Sequence, residues 1–327
     1  MGIRTQTLTT TTPAPAVPKI STRPINAGDR LFRRILMGMS GSVVVILALI
    51  AIYLAKLAWP AIHEFGLPFF WRTDWNPVKE HFGAGPFIFG TLVSSFLALA
   101  MAVPLSIAVA LFLTELAPKR IANVVGFMVE MLAAIPSVVY GLWGIFFLAP
   151  LLRIYVEPFF GKYLGFVFLF QGAPYGIGML AASLILAIMV TPTITAICRE
   201  VFRAVPETQR EAALGLGATK WEMIRLAVVK SSWSGVFGAG ILGLGRALGE
   251  TMAVTMLIGN RNEISGSLFA PGQTMASVIA NEYSEAGSST HVAALAYVGL
   301  ALFIVSFVVN FIARRIVKRL QNPEGVV

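Results

Sequence analysis

The sequence predicts an all-α integral membrane protein that crosses the bilayer with about six transmembrane helices. Of its 327 residues, 57% are hydrophobic and only 13% are charged, and its mean hydropathy is +0.78. Soluble domains carry about 25% charged residues, so this composition places the chain in a membrane. The net charge of +9 does not indicate a nucleic-acid-binding protein, because the basic residues flank apolar segments.

The N-terminal part is predicted to contain a tail and an anchor helix. Residues 1–33 are expected to be a disordered cytoplasmic tail, because their Thr, Pro and Ala bury too little apolar area to offset the entropy of ordering. The segment 34–85 is expected to hold the first transmembrane helix, whose apolar run from 35 to 59 is too long for a signal peptide. Residues 60–85 mix aromatics with Pro and Gly, which is typical of chain at the lipid headgroups; an external docking surface is the alternative.

The transmembrane core is predicted at residues 86–315, and a cytoplasmic C-terminal end at 316–327. Five further apolar segments approach the ~20 residues that a helix needs to cross a hydrocarbon core of about 30 Å. They lie at 86–113, 122–149, 177–198, 234–259 and 291–313. With the first helix they make six spans, an even number that puts both termini on one side of the membrane.

The distribution of basic residues predicts which side that is. Six Lys and Arg lie in residues 1–34, two in 114–121, six in 199–233 and four beyond residue 313, against five in the segments on the opposite side. Cytoplasmic loops carry the excess of Lys and Arg in membrane proteins. Both termini and the 199–233 loop are therefore expected in the cytoplasm.

The 199–233 loop is predicted to fold as a helix-turn-helix hairpin. Pro206 can start a short helix, and Gly217 lies where that helix should end. Thr219 and Glu222 then form a T-x-x-E capping box that begins a second helix. A rigid knuckle of this kind suits insertion into a groove of another protein; an ordinary amphipathic loop helix is the alternative.

The fifth apolar segment carries two charges, Arg246 and Glu250. Arg246 lies 12 residues after Ser234, which is about 18 Å along a helix and near the middle of the bilayer. Glu250 is four positions further along, where it can pair with Arg246. An arginine at this depth costs from about 3 to more than 10 kcal/mol, so it should face a cavity or a partner. A guanidinium suits an oxyanion, which favours a substrate pathway; a self-neutralised pair that fixes helix packing is the alternative.

Glu130, in the third apolar segment, is the other charge expected inside the membrane. It is assigned to the same pathway, either as a partner for Arg246 or as a protonated carboxyl. Other site chemistry has little support, because Cys198 has no Cys or His close by in sequence and the histidines are far apart. The sequence predicts no catalytic residue, no metal site and no cofactor.

The cytoplasmic loop resembles a known motif. Glu211, Ala212 and Ala213, followed by Gly217, resemble the EAA-x3-G loop of the permease subunits of ABC importers. The resemblance implies that these four residues couple the membrane subunit to a cytoplasmic ATPase. The family pattern usually ends in a proline, where this chain has Lys230.

Three longer stretches are similar to the PstC-type permease subunit of phosphate ABC importers. They are WNP at 75–77 with FGAGPFIFGTLVSS at 82–95, VEMLAAIPSVVYGLWG at 129–144, and GQTMASVIANEYSEA at 272–286. The resemblance implies the type I ABC importer permease fold, the bacterial inner membrane and translocation of phosphate. The RALGE core around Arg246 also resembles importers of sulfate and molybdate, so another oxyanion remains an alternative substrate.

The resemblance also implies partners: a PstA-like sister permease subunit, a PstB-like ATPase dimer and a PstS-like external phosphate-binding protein. The chain has no G-x4-G-K-[ST] loop, so ATP hydrolysis is expected to come from the separate ATPase and the chain is not expected to be an enzyme. One alternative from another class is a membrane-embedded enzyme acting on lipid phosphates, but the chain lacks a nucleophile and base at catalytic spacing. A second alternative is a passive anion channel, which would not need the hairpin.

Overall fold

The computed structural model describes residues 27–321. The chain divides into two compact units, residues 1–50 and 51–327. In the first unit, residues 27–50 are helical. Most of the predicted tail, residues 1–26, and the last part of the predicted C-terminal end, residues 322–327, lie outside the described residues.

Between residues 27 and 321 the fold is helical, without a β-strand. The α-helices in chain order are α1 (Ala27–Phe65), α2 (Gly85–Leu111), α3 (Lys119–Ala133), α4 (Ser137–Trp143), α5 (Ala149–Leu151), α6 (Glu157–Leu164), α7 (Met179–Arg203), α8 (Glu207–Gly215), α9 (Lys220–Met223), α10 (Lys230–Leu248), α11 (Met252–Leu257), α12 (Met275–Glu282) and α13 (Ser289–Gln321). Wider π-helical turns continue several of them, at Phe112–Leu116, Gly144–Leu148, Leu152–Val156 and Ile224–Val229, and short 3-10 helices lie at Leu67–Phe70 and Phe168–Phe170.

Within residues 27–321, six helical stretches are long and apolar enough to cross a membrane, which confirms the predicted number. They are Arg30–Phe65, Gly85–Leu116, Ser137–Leu164, Met179–Arg203, Lys220–Leu248 and Ser289–Val317. Four of them overlap the predicted segments closely. The third and the fifth are displaced, because the predicted segment 122–149 is interrupted before Pro136 and the predicted segment 234–259 is interrupted after Leu248.

The interruption lies between α3 and α4, just before Pro136. Proline disfavours helical geometry in the residue that precedes it, so α3 stops at Ala133 and a new helix begins at Ser137. The Tyr140 hydroxyl donates to the Leu132 carbonyl at 2.8 Å and bridges the interruption. As a result the third span extends to Leu164, and it contains two basic residues that the sequence placed in a loop, Arg153 and Lys162.

The main core lies between α2 and α7, the most extensive helix pair. Small side chains allow the two backbones to approach, as is common between helices in membranes; they include Ala98, Ala102 and Ala110 on α2 and Ala182 and Ala187 on α7, all buried. The glycine-rich α10 packs onto α7 in the same way. A Cβ at Gly243 would lie 2.6 Å from the Ile194 side chain, so only glycine fits this contact without a shift.

Part of the aromatic segment between α1 and α2 packs against the rest of the protein. Phe69, Trp75 and Phe82 are all at most 9% exposed and join a core with α12 and α13. The Trp75 indole N–H donates to Glu282 at 2.8 Å, and the same carboxylate oxygen lies 3.0 Å from His291 Nε2. These contacts connect the WNP stretch to the GQTMASVIANEYSEA stretch.

Two matched positions test the membrane orientation. Val78, between α1 and α2, is 93% exposed, and Leu216, in the hairpin loop, is 90% exposed. In a Cys198→Ala background, Val78→Cys should react with an impermeant thiol reagent added to intact cells, whereas Leu216→Cys should react only after the membrane is permeabilised. Labelling of Leu216→Cys from outside intact cells would reverse the predicted orientation.

Candidate functional site

The helix that carries Arg246 is broken directly after it. α10 ends at Leu248 and α11 begins at Met252. The Glu250 carboxylate accepts a hydrogen bond from the Ala253 N–H at 3.4 Å and so caps the first turn of α11. The apolar stretch that can cross the membrane ends here, at Leu248, so Arg246 lies in the last turn of this stretch. The sequence analysis placed Arg246 near the middle of a span at 234–259, and this position is corrected.

Arg246 lies in the last turn of α10, and its side chain is exposed. The expected pairing with Glu250 is not found: within residues 27–321, no ion pair includes Arg246. The reason is that Glu250 lies past the end of the helix and not one turn along it. The guanidinium is thus left open to a ligand or to another protein.

Two polar residues that the sequence analysis did not select lie beside this break. Tyr140 lies on α4, which packs against α11 just beyond the break. Asn310 of α13 approaches α10 at Gly245, where its amide oxygen lies 3.8 Å from the position of a glycine Cβ. Asn310 could have been found as a lone polar residue in an apolar span, whereas Tyr140 carries no such signal.

Glu130 is placed away from Arg246, which corrects the pairing that the sequence suggested. Its carboxylate forms an ion pair with Arg199, near the end of α7, whose side chain is 11% exposed. Arg199 also lies 3.7 Å from Glu200. Because α3 ends before Pro136, Glu130 belongs to a separate helix that is attached to α7 by this ion pair.

The predicted hairpin is present, with α8 as its first helix and α9 as the start of its second. Gly217 has φ +86°, a left-handed conformation that favours glycine. Thr219 and Glu222 form the predicted capping box: the Thr219 N–H donates to the Glu222 carboxylate at 2.8 Å, and the Glu222 N–H donates to the Thr219 hydroxyl at 3.3 Å. Two opposing bonds therefore fix the turn between the helices.

The four motif residues lie on the hairpin with different exposure. Glu211, Ala212 and Gly217 are exposed, whereas Ala213 is half-buried against the main core. Large apolar side chains next to them are also uncovered, with Leu216 90% and Trp221 67% exposed. Apolar surface of this kind beside charged residues is typical of a protein-binding site.

A third feature is an open cavity on the side opposite the hairpin. It has a volume of about 750 Å³ and is lined by polar side chains from two segments: Asp74, Lys79 and His81 before α2, and Asn262 and Glu263 after α11. Both signs of charge are present. This surface adjoins the buried Trp75 and Glu282 contact.

Comparison with known proteins gives a family match. Residues 102–322 match the family described as "Binding-protein-dependent transport system inner membrane component". A protein from Pasteurella multocida (strain Pm70) named "Phosphate transport system permease protein PstC" is 46% identical over 301 residues, which cover 91% of this chain and 94% of that protein. A protein of the same name from Mesorhizobium japonicum is 44% identical and covers 91% of this chain and 92% of its own length.

Solved structures with the same fold come from ABC transporters. A chain of the inward-facing MetNI methionine ABC transporter has a TM-score of 0.53 at 17% identity, covering 71% of this chain and 94% of that chain. A chain of a bacterial ABC transporter that imports the polysaccharide alginate has a TM-score of 0.55 at 16% identity, covering 90% and 100%. The likeness shows the type I ABC importer permease fold.

The contribution of the Glu130–Arg199 ion pair to stability can be compared with that of the neighbouring carboxylate, Glu200. Glu130→Ala should lower the melting temperature of the purified protein, because the little-exposed Arg199 loses its closest acceptor, at a cost of about 1–3 kcal/mol. Glu200→Ala should cost less than about 1 kcal/mol, because Glu200 is 65% exposed. Equal melting temperatures for the two variants would mean that the Glu130 pair does not hold α3 on α7.

Proposed function

The chain belongs to the family of binding-protein-dependent transport system inner membrane components, and we propose that it is the permease subunit that translocates inorganic phosphate in an ATP-driven importer. The observation that carries this proposal is the 46% identity to a phosphate transport system permease, which spans nearly the full length of both chains. The family consists of transport components, and ATP hydrolysis belongs to a separate subunit. An importer of sulfate or molybdate is the alternative, and measurement of anion binding by the cognate external protein distinguishes the two.

The proposed substrate pathway passes Arg246 at the broken helix. An exposed guanidinium without an ion-pair partner among the described residues can bind a phosphate anion through two parallel hydrogen bonds. Glu250 is close to Arg246 in sequence, but its carboxylate accepts a hydrogen bond from an α11 amide. Its negative charge therefore lowers the affinity of Arg246 for the anion without forming an ion pair with Arg246. A transient site needs this balance, because an anion that binds too tightly is not released. Glu130 is not part of the proposed pathway, since its carboxylate binds Arg199.

The proposed coupling surface is the hairpin, with Glu211, Ala212, Ala213 and Gly217 in contact with a cytoplasmic ATPase. The exposed leucine and tryptophan beside this motif support a protein contact, because they would otherwise be hydrated. The small alanines allow a close approach of the partner. The capping box keeps the hairpin rigid enough to transmit a displacement.

The proposed complex contains a PstA-like sister permease, a PstB-like ATPase dimer and a PstS-like phosphate-binding protein. A sister subunit is supported by the exposed Arg246 face, since a charge in a membrane-spanning helix must be covered by protein or water. The polar outer cavity supports docking of the external binding protein. Its mixed charges suit a transient, orienting contact.

The role of Arg246 is tested by uptake normalised to the amount of assembled complex. Arg246→Gln should lower normalised phosphate uptake at least about tenfold, because a hydrogen bond to a charged group contributes about 1.5–3 kcal/mol. Arg314→Gln, which removes an exposed arginine from another membrane-spanning stretch, is the matched control and should transport normally. Near-normal uptake by Arg246→Gln would exclude the pathway role. A purely structural role predicts that Arg246→Gln reduces the amount of complex and not the uptake per complex.

The hairpin turn is tested by two glycines that differ in conformation. At Gly217 a substituted Cβ would meet no atom within 4 Å, so the effect of Gly217→Val comes from the left-handed backbone and costs at least about 1–2 kcal/mol. Gly215→Val is the control, because this site is equally open but its φ is not positive. We expect only Gly217→Val to lose co-purifying ATPase and ATP-driven uptake. If both variants bind the ATPase and support uptake equally, the turn does not participate in coupling.

A further inference from the structure

One arginine connects the hairpin to two membrane helices. Arg210 of α8 donates to the carbonyls of Val205 at 2.7 Å and Phe202 at 2.8 Å, which lie at the cytoplasmic end of α7. It also donates to the Glu115 carboxylate at 2.9 Å. Glu115 lies in the π-helical turn that ends the second span. A single guanidinium thus joins three elements of the cytoplasmic side.

The carboxylate of this ion pair is more buried than the carboxylates of the ion pairs near the end of α7. The side chains of Arg210 and Glu115 are 16% and 7% exposed. The nearby pair of Arg203 and Glu200 is 47% and 65% exposed and lies within one helix. A buried ion pair contributes little net stability relative to apolar residues of the same shape, because desolvation offsets the attraction. Its geometry is therefore better explained by positioning than by stability.

The side chain of Arg210 points away from the surface that carries the coupling motif, although the motif follows it directly in sequence. Arg210 turns toward the membrane helices, whereas Glu211 and Ala212 are exposed. The two helices that it reaches, α2 and α7, form the main core of the protein. The acceptor lies on a π-helical turn, and such turns interrupt regular helices frequently at functional sites. A displacement of α8 is thus passed to both core helices through one side chain.

We propose that Arg210 and Glu115 form the positioning link through which movement of the hairpin reaches the cytoplasmic ends of α2 and α7. This inference rests on the proposed function, because it assumes that the hairpin receives movement from an ATPase. The fixed fork of the guanidinium serves all three acceptors at once, and a lysine ammonium cannot reproduce that geometry. Neither residue touches the substrate, so both act through the helices that they join.

The test measures phosphate uptake and ATP hydrolysis together in proteoliposomes that contain the complete importer with its binding protein. Glu115→Ala removes the bond to the second span and leaves the two carbonyl bonds of Arg210 in place. It should lower the phosphate transported per ATP by about two- to thirtyfold while the complex still assembles and hydrolyses ATP. Arg210→Lys should behave similarly. Glu200→Ala, which removes the exposed neighbouring carboxylate, should leave the ratio unchanged.

An unchanged ratio in Glu115→Ala would overturn the link and leave Arg210 as a cap of α7. If Glu115→Ala does not assemble, Glu115→Met decides, because methionine fills a similar space but offers Arg210 no oxygen acceptor. A wild-type ratio in this variant also overturns the link. Lack of phosphate uptake by the wild-type complex contradicts the proposed function instead.

A distance measurement tests the link independently of the substrate. Spin labels at Leu116→Cys and Leu214→Cys, both exposed positions, report the separation of the second span and α8 in a Cys198→Ala background. The separation should stay constant between the nucleotide-free and ATP-bound complexes and should change in Glu115→Ala. A separation that changes equally with and without Glu115 would overturn the link even for another transported anion.

Discussion

Backbone N–H and C=O groups that cross hydrocarbon must be bonded within the protein, and this requirement governs where the helices of this chain can break. Among the described residues, two breaks interrupt segments that the sequence predicted as continuous spans, before Pro136 and after Leu248, and a side chain bonds the backbone at each. The Tyr140 hydroxyl donates to the Leu132 carbonyl at the first break, and the Glu250 carboxylate accepts from an α11 amide at the second. The helix that carries Tyr140, α4, packs against α11, so the two breaks lie at helices that contact each other.

Two arginines on the cytoplasmic side have ion-pair partners, whereas the arginine at the break after Leu248 has none among the described residues. Arg199 and Arg210 are little exposed, and each has a carboxylate from another helix. Arg246 has no ion-pair partner within residues 27–321. A charge in a membrane-spanning helix must face water or protein, so its compensation comes from water, a ligand or another protein. The unpaired arginine is thus consistent with the proposed anion site and with the proposed sister subunit.

Local signals in the sequence were sufficient for some features and not for others. Span number follows from length and hydropathy, and the hairpin turn from the spacing of Thr219 and Glu222, because both depend on neighbouring residues. The start of the third span was wrong, since an apolar run continues through Pro136 while the helix does not. The partner of Glu130 lies 69 residues away and that of Arg210 lies 95 residues from it. Pairs at such separations depend on how helices pack, which no local pattern encodes.

A continuous helix from Lys220 to Leu248 connects the two proposed sites. It begins at the capping box of the hairpin and ends two residues after Arg246, at the break before α11. Because a helix transmits displacement along its axis, movement imposed on the hairpin shifts Arg246 relative to Glu250, which is held by α11. The Arg210 contact connects the other side of the hairpin to α2 and α7. In the proposed mechanism the hairpin therefore acts on the anion site along the helix Lys220–Leu248 and on the surrounding core through the Arg210 contact. Opening of the pathway and release of the anion then occur together.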